Sequence, residues 1–279
     1  MKRSRRYLSA AIVLSMALPA WVAAFTLPGL DKVIGMAGKA KDLGTVDEPH
    51  EIAIGSGIAS SLLGAAPLVK DQAVQQYVNK VGLWLALQTE RPDLPWHFGV
   101  LDSNNVNAFA TPGGYVFITR GLLQKMHSED ELAGVLAHEI SHVIKRHHLV
   151  AIQKAAKRGL MTDVAGMAVS QNSNSAVLDK VISAGTELYA RGLDKGDEYE
   201  ADRMGVVIAA RAGYDPFGLP AVLQTLDSIN VKDSSFALMF KTHPTPLSRL
   251  QALDSTMGTA LDAYAHRGLP NPRFRTYVR

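Results

Sequence analysis

The chain has 279 residues, 47% of them apolar and 20% charged, a balance that excludes both a disordered tail and a polytopic membrane protein. It has no cysteine, which rules out a disulfide scaffold, thiolate metal ligands, a Cys nucleophile and a lipid-modified N-terminal Cys; any metal site must be built from His, Asp and Glu. The formal charge of +3 is concentrated in Lys2, Arg3, Arg5 and Arg6, and without those four the 29 Lys and Arg fall to 25 against 26 Asp and Glu, so the body offers no electrostatic basis for binding nucleic acid.

Residues 1–24 have the pattern of a signal peptide. A basic start precedes the apolar run Leu8 to Leu18, and Val22 and Ala24 stand at the −3 and −1 positions of a cleavage site. Ser9, Ser15 and Pro19 interrupt the run, which is too short for a comfortable bilayer span. The expectation is an exported chain, soluble after cleavage, with Ser4-Arg5-Arg6 leaving the export route open between the general and twin-arginine pathways. Residues 25–47 are Gly- and Lys-rich and predict a loose lead-in.

Helical spacing of apolar residues predicts helices over Pro49–Leu63 and Leu68–Thr89. Strands are expected at Trp96–Leu101, Val106–Ala110 and Tyr115–Thr119, the last two joined by the turn Thr111-Pro112-Gly113-Gly114. Ser128 and Glu131 form a capping box that opens a long helix running to about Lys157, with Glu129 and Asp130 at the positive end of its dipole. In the Ala- and Gly-rich stretch Leu160–Leu193, Met161, Met167, Leu178, Val181 and Ile182 suit a mobile cover over the cleft or, the preferred reading, core packing. A helix over Lys195–Ala212 should end at Gly213, and Asp215-Pro216 supplies an N-cap and first-turn pair for the next. Thr242-His243-Pro244-Thr245-Pro246 is a rigid loop before a short helix through Arg249 and Leu253. The fold class is α+β, mostly helical, with one small sheet.

Chemistry concentrates in His138-Glu139-Ile140-Ser141-His142. Two His four apart on a helix share a face and can reach one metal ion. Glu139 is rotated by about 100° from His138, placed to take a proton from an attacking water without being a ligand. The apolar neighbours Leu132, Val135, Leu136, Ile140, Val143 and Ile144 make this a core helix, where three ionisable residues need a reason.

A catalytic zinc needs a third protein ligand. His148 lies six residues beyond His142, the metzincin spacing, but Lys145 replaces the Gly that would turn the chain. The helical pattern of Val143–Arg146 should therefore carry His147 and His148 away. The better candidate is Glu198. Glu198 and Asp202 stand four apart on one helical face, so one can ligate while the other orients a ligating His from behind; Glu200 points elsewhere.

Four blocks in this order resemble the HtpX/Oma/CAAX-endoprotease type of gluzincin metallopeptidase, and among these the periplasmic bacterial members. They are Asn107-Ala108-Phe109 with Pro112-Gly113-Gly114; His138 to His142; Glu198 to Asp202 with Gly205; and His243-Pro244 with Arg249. The resemblance covers roughly residues 48–255 and implies a zincin-like domain at 48–265, followed by a tail at 266–279. It further implies one Zn2+ on His138, His142 and Glu198, Glu139 as general base, and Asp202 as support. Asn107, His243 and Arg249 match positions near the tetrahedral intermediate. The implied activity is hydrolysis of misfolded or misassembled envelope proteins in the periplasm, with outer-membrane assembly machinery as a partner. The strands around Pro112–Gly114 offer an edge to which an extended substrate can add. The rival from another class is an envelope chaperone or assembly factor with a mainly structural zinc.

Overall fold

The structure, a computed structural model, describes residues 46–163, 189, 191–229, 234–265 and 272–278, with side chains in the 147–163 helix described as far as residue 155. The signal segment, the lead-in as far as residue 45, residues 266–271 of the tail, Met167, Leu178, Val181, Ile182 and the side chain of Met161 lie outside the described residues.

Asp47 accepts a bond from the His50 N–H and opens α1, Glu48–Ala65; Asp71 caps α2, Gln72–Ala86, through the N–H groups of Ala73 and Val74. The strands β1 (His97–Leu101), β2 (Ala108–Thr111) and β3 (Tyr115–Thr119) form one sheet in the order β1-β3-β2. β3 pairs in parallel with β1, His97 against Tyr115, and antiparallel with β2, Ala108 against Ile118, so β2 is an edge strand. The Pro-Gly-Gly turn needs its glycines. Gly113 has φ of 77°, and a Cβ there would stand 2.5 Å from the Cα of Ile52.

A short helix α3, Arg120–Leu123, leads to α4, Glu129–Ile144, the central element of the molecule. Ser128 Oγ accepts from the Glu131 N–H at 3.1 Å, as the capping box requires. The reciprocal bond is displaced by one residue: the Glu131 carboxylate accepts from the His127 N–H at 2.8 Å, not from Ser128. All of α4 from Glu131 to Val143 is buried.

The helix does not continue to Lys157 as its periodicity predicts. It ends at Ile144, Arg146 takes φ of 57°, and a separate helix α5 spans His147–Asp163. The turn is accompanied by an ion pair from a distant part of the chain. Arg146 Nε lies 3.0 Å from Oε2 of the fully buried Glu51, which also binds Arg91 and accepts from Gly113 N–H.

α6, Lys195–Arg211, crosses α4 closely, because a Cβ at Gly205 would stand 2.9 Å from His138 N. The next helix, α7, begins at Gly218 and not beside Asp215. Asp215 Oδ1 accepts from Phe217 N–H, so it closes the preceding turn instead of capping the helix. A 3₁₀ turn at Ser234–Phe236 runs into α8, Ala237–Thr242, and Thr245 caps α9, Pro246–Met257, through Ser248 N–H. Within the expected tail, α10 (Arg273–Tyr277) joins the fold: Phe274 is buried in the main core and Tyr277 stacks on Tyr77.

The main core joins α2 and the sheet to α4, α6, α7 and α9 through residues such as Val78, Ile118, Leu136, Val206, Leu223 and Leu253. A smaller cluster of Ile54, Ile58, Leu149, Ile152 and Tyr189 ties α1 to α5. Among the described residues, no helix is long and apolar enough to cross a membrane.

Candidate functional site

The site lies where α4 and α6 face each other beneath the edge strand. His138 and His142 are 3% and 1% exposed, and their Nε2 atoms are 3.1 Å apart. From α6, Glu198 brings Oε2 to 3.7 Å from His138 Nε2 and Oε1 to 3.5 Å from His142 Nε2. These spacings suit three ligands on one tetrahedral ion, whose neighbouring donors lie about 3.3 Å apart at ordinary zinc bond lengths.

The far side of the His138 ring is fixed. Its Nδ1 lies 2.8 Å from Asp202 Oδ1, and Asp202 is gripped by Arg249 through Nε at 2.9 Å and Nη2 at 2.5 Å. With the proton held on Nδ1, the Nε2 lone pair faces the cluster. Burial would raise the Asp202 pKa, but the Arg249 guanidinium and His138 hold it well below the usual carboxylate range.

Glu198 is likewise buried, yet its carboxyl is pushed down to about 2, because His243, His138 and Arg249 outweigh the desolvation. His243 Nδ1 lies 2.6 Å from Glu198 Oε2, and the ligand atoms of His138, Glu198 and His243 all fall within 4.8 Å of one another. His243 thus stands at the same point as the predicted triad. Glu139, 3% exposed, is one residue round the helix from His138, and burial pushes its pKa up.

Asn107 precedes β2 and lines the recess with Glu139 and His243. Its backbone is fixed by Thr119, while its buried Oδ1 has no hydrogen-bond partner among the described residues. Arg249 lines the same recess, although its Nε and Nη2 are committed to Asp202. Glu200 faces away from the cluster and pairs with Lys145 at 2.6 Å.

Two features escaped the sequence reading. The break at Arg146 returns His147 to α4, with its Nδ1 3.0 Å from His142 Nδ1, and leaves His148 beside the recess, its ring 5.2 Å from that of His142. A Gly at the turn would have signalled the break; Arg146 does not. The second is Tyr189, whose ring stacks on His148 and whose hydroxyl donates to the Ala110 carbonyl of β2 at 2.5 Å. No pattern in the Ala- and Gly-rich stretch marks that residue.

Residues 72–257, two thirds of the chain, match the family model described as Peptidase family M48. The chain is 32% identical over 250 residues to a beta-barrel assembly-enhancing protease of Escherichia coli O157:H7, covering 87% of this chain and 50% of that protein. A protein of the same name from Yersinia pestis is 34% identical over 212 residues, covering 74% and 43%. The mitochondrial metalloendopeptidase OMA1 of Schizosaccharomyces pombe is 28% identical over 185 residues, covering 66% and 53%. The chain spans about half the length of these relatives.

Proposed function

The chain belongs to peptidase family M48, and from that premise we propose that it is a zinc-dependent endopeptidase acting on misfolded or misassembled cell-envelope proteins. The observation that carries the reading is the meeting of His138 Nε2, His142 Nε2 and the Glu198 oxygens at 3.1 to 3.7 Å, beside a buried Glu139.

His138, His142 and Glu198 would hold the ion, which when bound supplies a Lewis acid that acidifies water and polarises a peptide carbonyl. Glu139 takes the proton from the attacking water and delivers it to the leaving amine. His243 and the Asn107 amide line the recess from which N–H donors can reach the oxygen that becomes negative. Arg249 holds Asp202, and through it His138, in register. β2 is an edge strand whose free side offers backbone groups to an extended chain, which would displace the Tyr189 hydroxyl from the Ala110 carbonyl to pair there.

An envelope substrate is supported by the export pattern of residues 1–24 and by the names of the relatives. Outer-membrane assembly machinery as a partner, and the periplasm as the location, follow from the same reasoning. The chaperone reading leaves Glu139 unexplained, because a structural metal site needs no buried carboxylate beside its ligands.

The test is cleavage of an unfolded protein by wild type and Glu139→Gln, with zinc measured in each. Both should hold one zinc, and the variant should lose about 10²- to 10⁴-fold in rate, the usual share of a general base. Zinc in both with cleavage by neither would favour the chaperone.

A further inference from the structure

The two ligating histidines are supported differently. His138 places Nδ1 2.8 Å from a carboxylate oxygen of Asp202. Among the described residues, the group facing His142 Nδ1 is another imidazole, His147, with its Nδ1 at 3.0 Å. We propose that His147 is the positioning residue of His142: its Nδ1 accepts a hydrogen bond from the His142 Nδ1–H and so keeps the Nε2 lone pair directed at the metal. The inference rests on the zinc reading above.

Proton bookkeeping supports it. Both Nε2 atoms face the ligand cluster 3.1 Å apart, so as ligands both rings must carry their protons on Nδ1. His142 then needs an acceptor at Nδ1, and His147 Nδ1 serves only if it is unprotonated. A neutral His147 therefore carries its proton on Nε2. That nitrogen faces carboxylates, Glu200 Oε2 at 3.4 Å and Asp197 Oδ1 at 3.9 Å. Glu200 is itself held by Lys145 Nζ at 2.6 Å. Each group thus meets the partner that its required tautomer needs, from Lys145 through Glu200 and His147 to His142.

The backbone is shaped for the same result. Had α4 continued as a regular helix, residue 147 would lie five positions on from residue 142, about 140° away round the axis and about 7.5 Å further along. The left-handed Arg146, tied to Glu51, breaks that path and brings His147, 6% exposed, back against His142.

The test measures zinc affinity by chelator competition, and the visible spectrum after Co2+ substitution, on the full chain. His142→Ala comes first: if it keeps wild-type zinc affinity, the ligand assignment itself fails, separately from this proposal. With that loss established, His147→Ala should weaken zinc by about 10- to 100-fold and alter the cobalt spectrum. His147→Asn sets the comparison, because its Oδ1 can replace the Nδ1 acceptor with no atom at the Nε2 position. It should bind zinc within about threefold of wild type. Equal loss in both variants would assign His147 to packing against α6 and overturn the proposal, as would unchanged affinity in His147→Ala. If the Ala variant does not fold, the Asn variant decides: wild-type affinity supports the role, and a loss of tenfold or so refutes it.

Discussion

Glu51 and Glu198 are both carboxylates with almost no exposure, 0% and 1%, and their partners differ in kind. Glu51 meets donors only: both terminal nitrogens of Arg91 at 2.9 and 3.0 Å, Arg146 Nε at 3.0 Å and Gly113 N–H at 3.3 Å. Glu198 meets imidazoles, with His138 and His142 nitrogens at 3.7 and 3.5 Å and His243 at 2.6 Å. The first cluster is complete without any further group. In the second, two Nε2 atoms face each other at 3.1 Å beside an ionised carboxylate, a donor set suited to a bound cation. Burial of a carboxylate therefore does not identify the site; the balance of donors and acceptors around it does.

The largest stability effect should come from breaking the complete cluster. Glu51→Ala removes the shared anion, but Arg91 keeps Glu48 at 3.0 Å and Arg146 is 41% exposed, so the cost should be about 2–3 kcal/mol, below that of a fully buried pair. Denaturant unfolding should report that loss, while zinc stoichiometry at saturating zinc stays unchanged. Glu198→Ala should give the opposite pair of results. Loss of zinc in a folded Glu51→Ala would dissolve the distinction.

Within the second cluster, His243→Ala should lower turnover by about 10²-fold with zinc retained, the scale expected for one donor to a developing oxyanion. The same residue lies against Glu198 Oε2, at the edge of the ligand set. A rate increase in His243→Ala would therefore assign it to blocking the site before substrate enters. Asp202→Asn removes the carboxylate behind His138 and should weaken zinc or activity by about 10- to 100-fold. Chelator competition separates these two variants, since only the second should shift zinc affinity.

The contrast also explains what could be read in advance. Helix α4, its Ser128 cap and the placing of Glu139 follow from local spacing, because a helix fixes which residues share a face. Glu198 and Asp202 were legible for the same reason, and Gly205 acquires its meaning only from the backbone of His138 against which it packs. The end of α4 was not legible. It coincides with Arg146 meeting Glu51, 95 positions earlier in the chain, and with a positive φ at a non-glycine residue, neither of which local spacing encodes. With that break the positions of His147 and His148 were missed. Asp215 misled for a smaller reason: Asp followed by Pro marks the start of a turn as readily as the start of a helix.

The smallest expected effect tests whether the two ends of α4 are independent. At its N-terminal end Ser128 caps Glu131 N–H, and Glu129 takes bonds from the Tyr77 hydroxyl at 2.8 Å, the Tyr214 hydroxyl at 3.2 Å and Arg273 at 3.0 Å. Like Glu51, Glu129 is surrounded by donors that need no further group, so this end is a structural anchor. Ser128→Ala should cost about 1 kcal/mol, the ordinary value of an N-cap. The loss should be no greater, because the other groups at this end remain in place. His138 lies ten residues along the helix, about 15 Å at the standard rise, beyond the reach of fraying in the first turn. Zinc affinity should therefore stay within about twofold while the unfolding midpoint falls, since a cap acts within the first turn. A drop in zinc affinity matching the loss of stability would mean that the anchor and the metal site move as one unit.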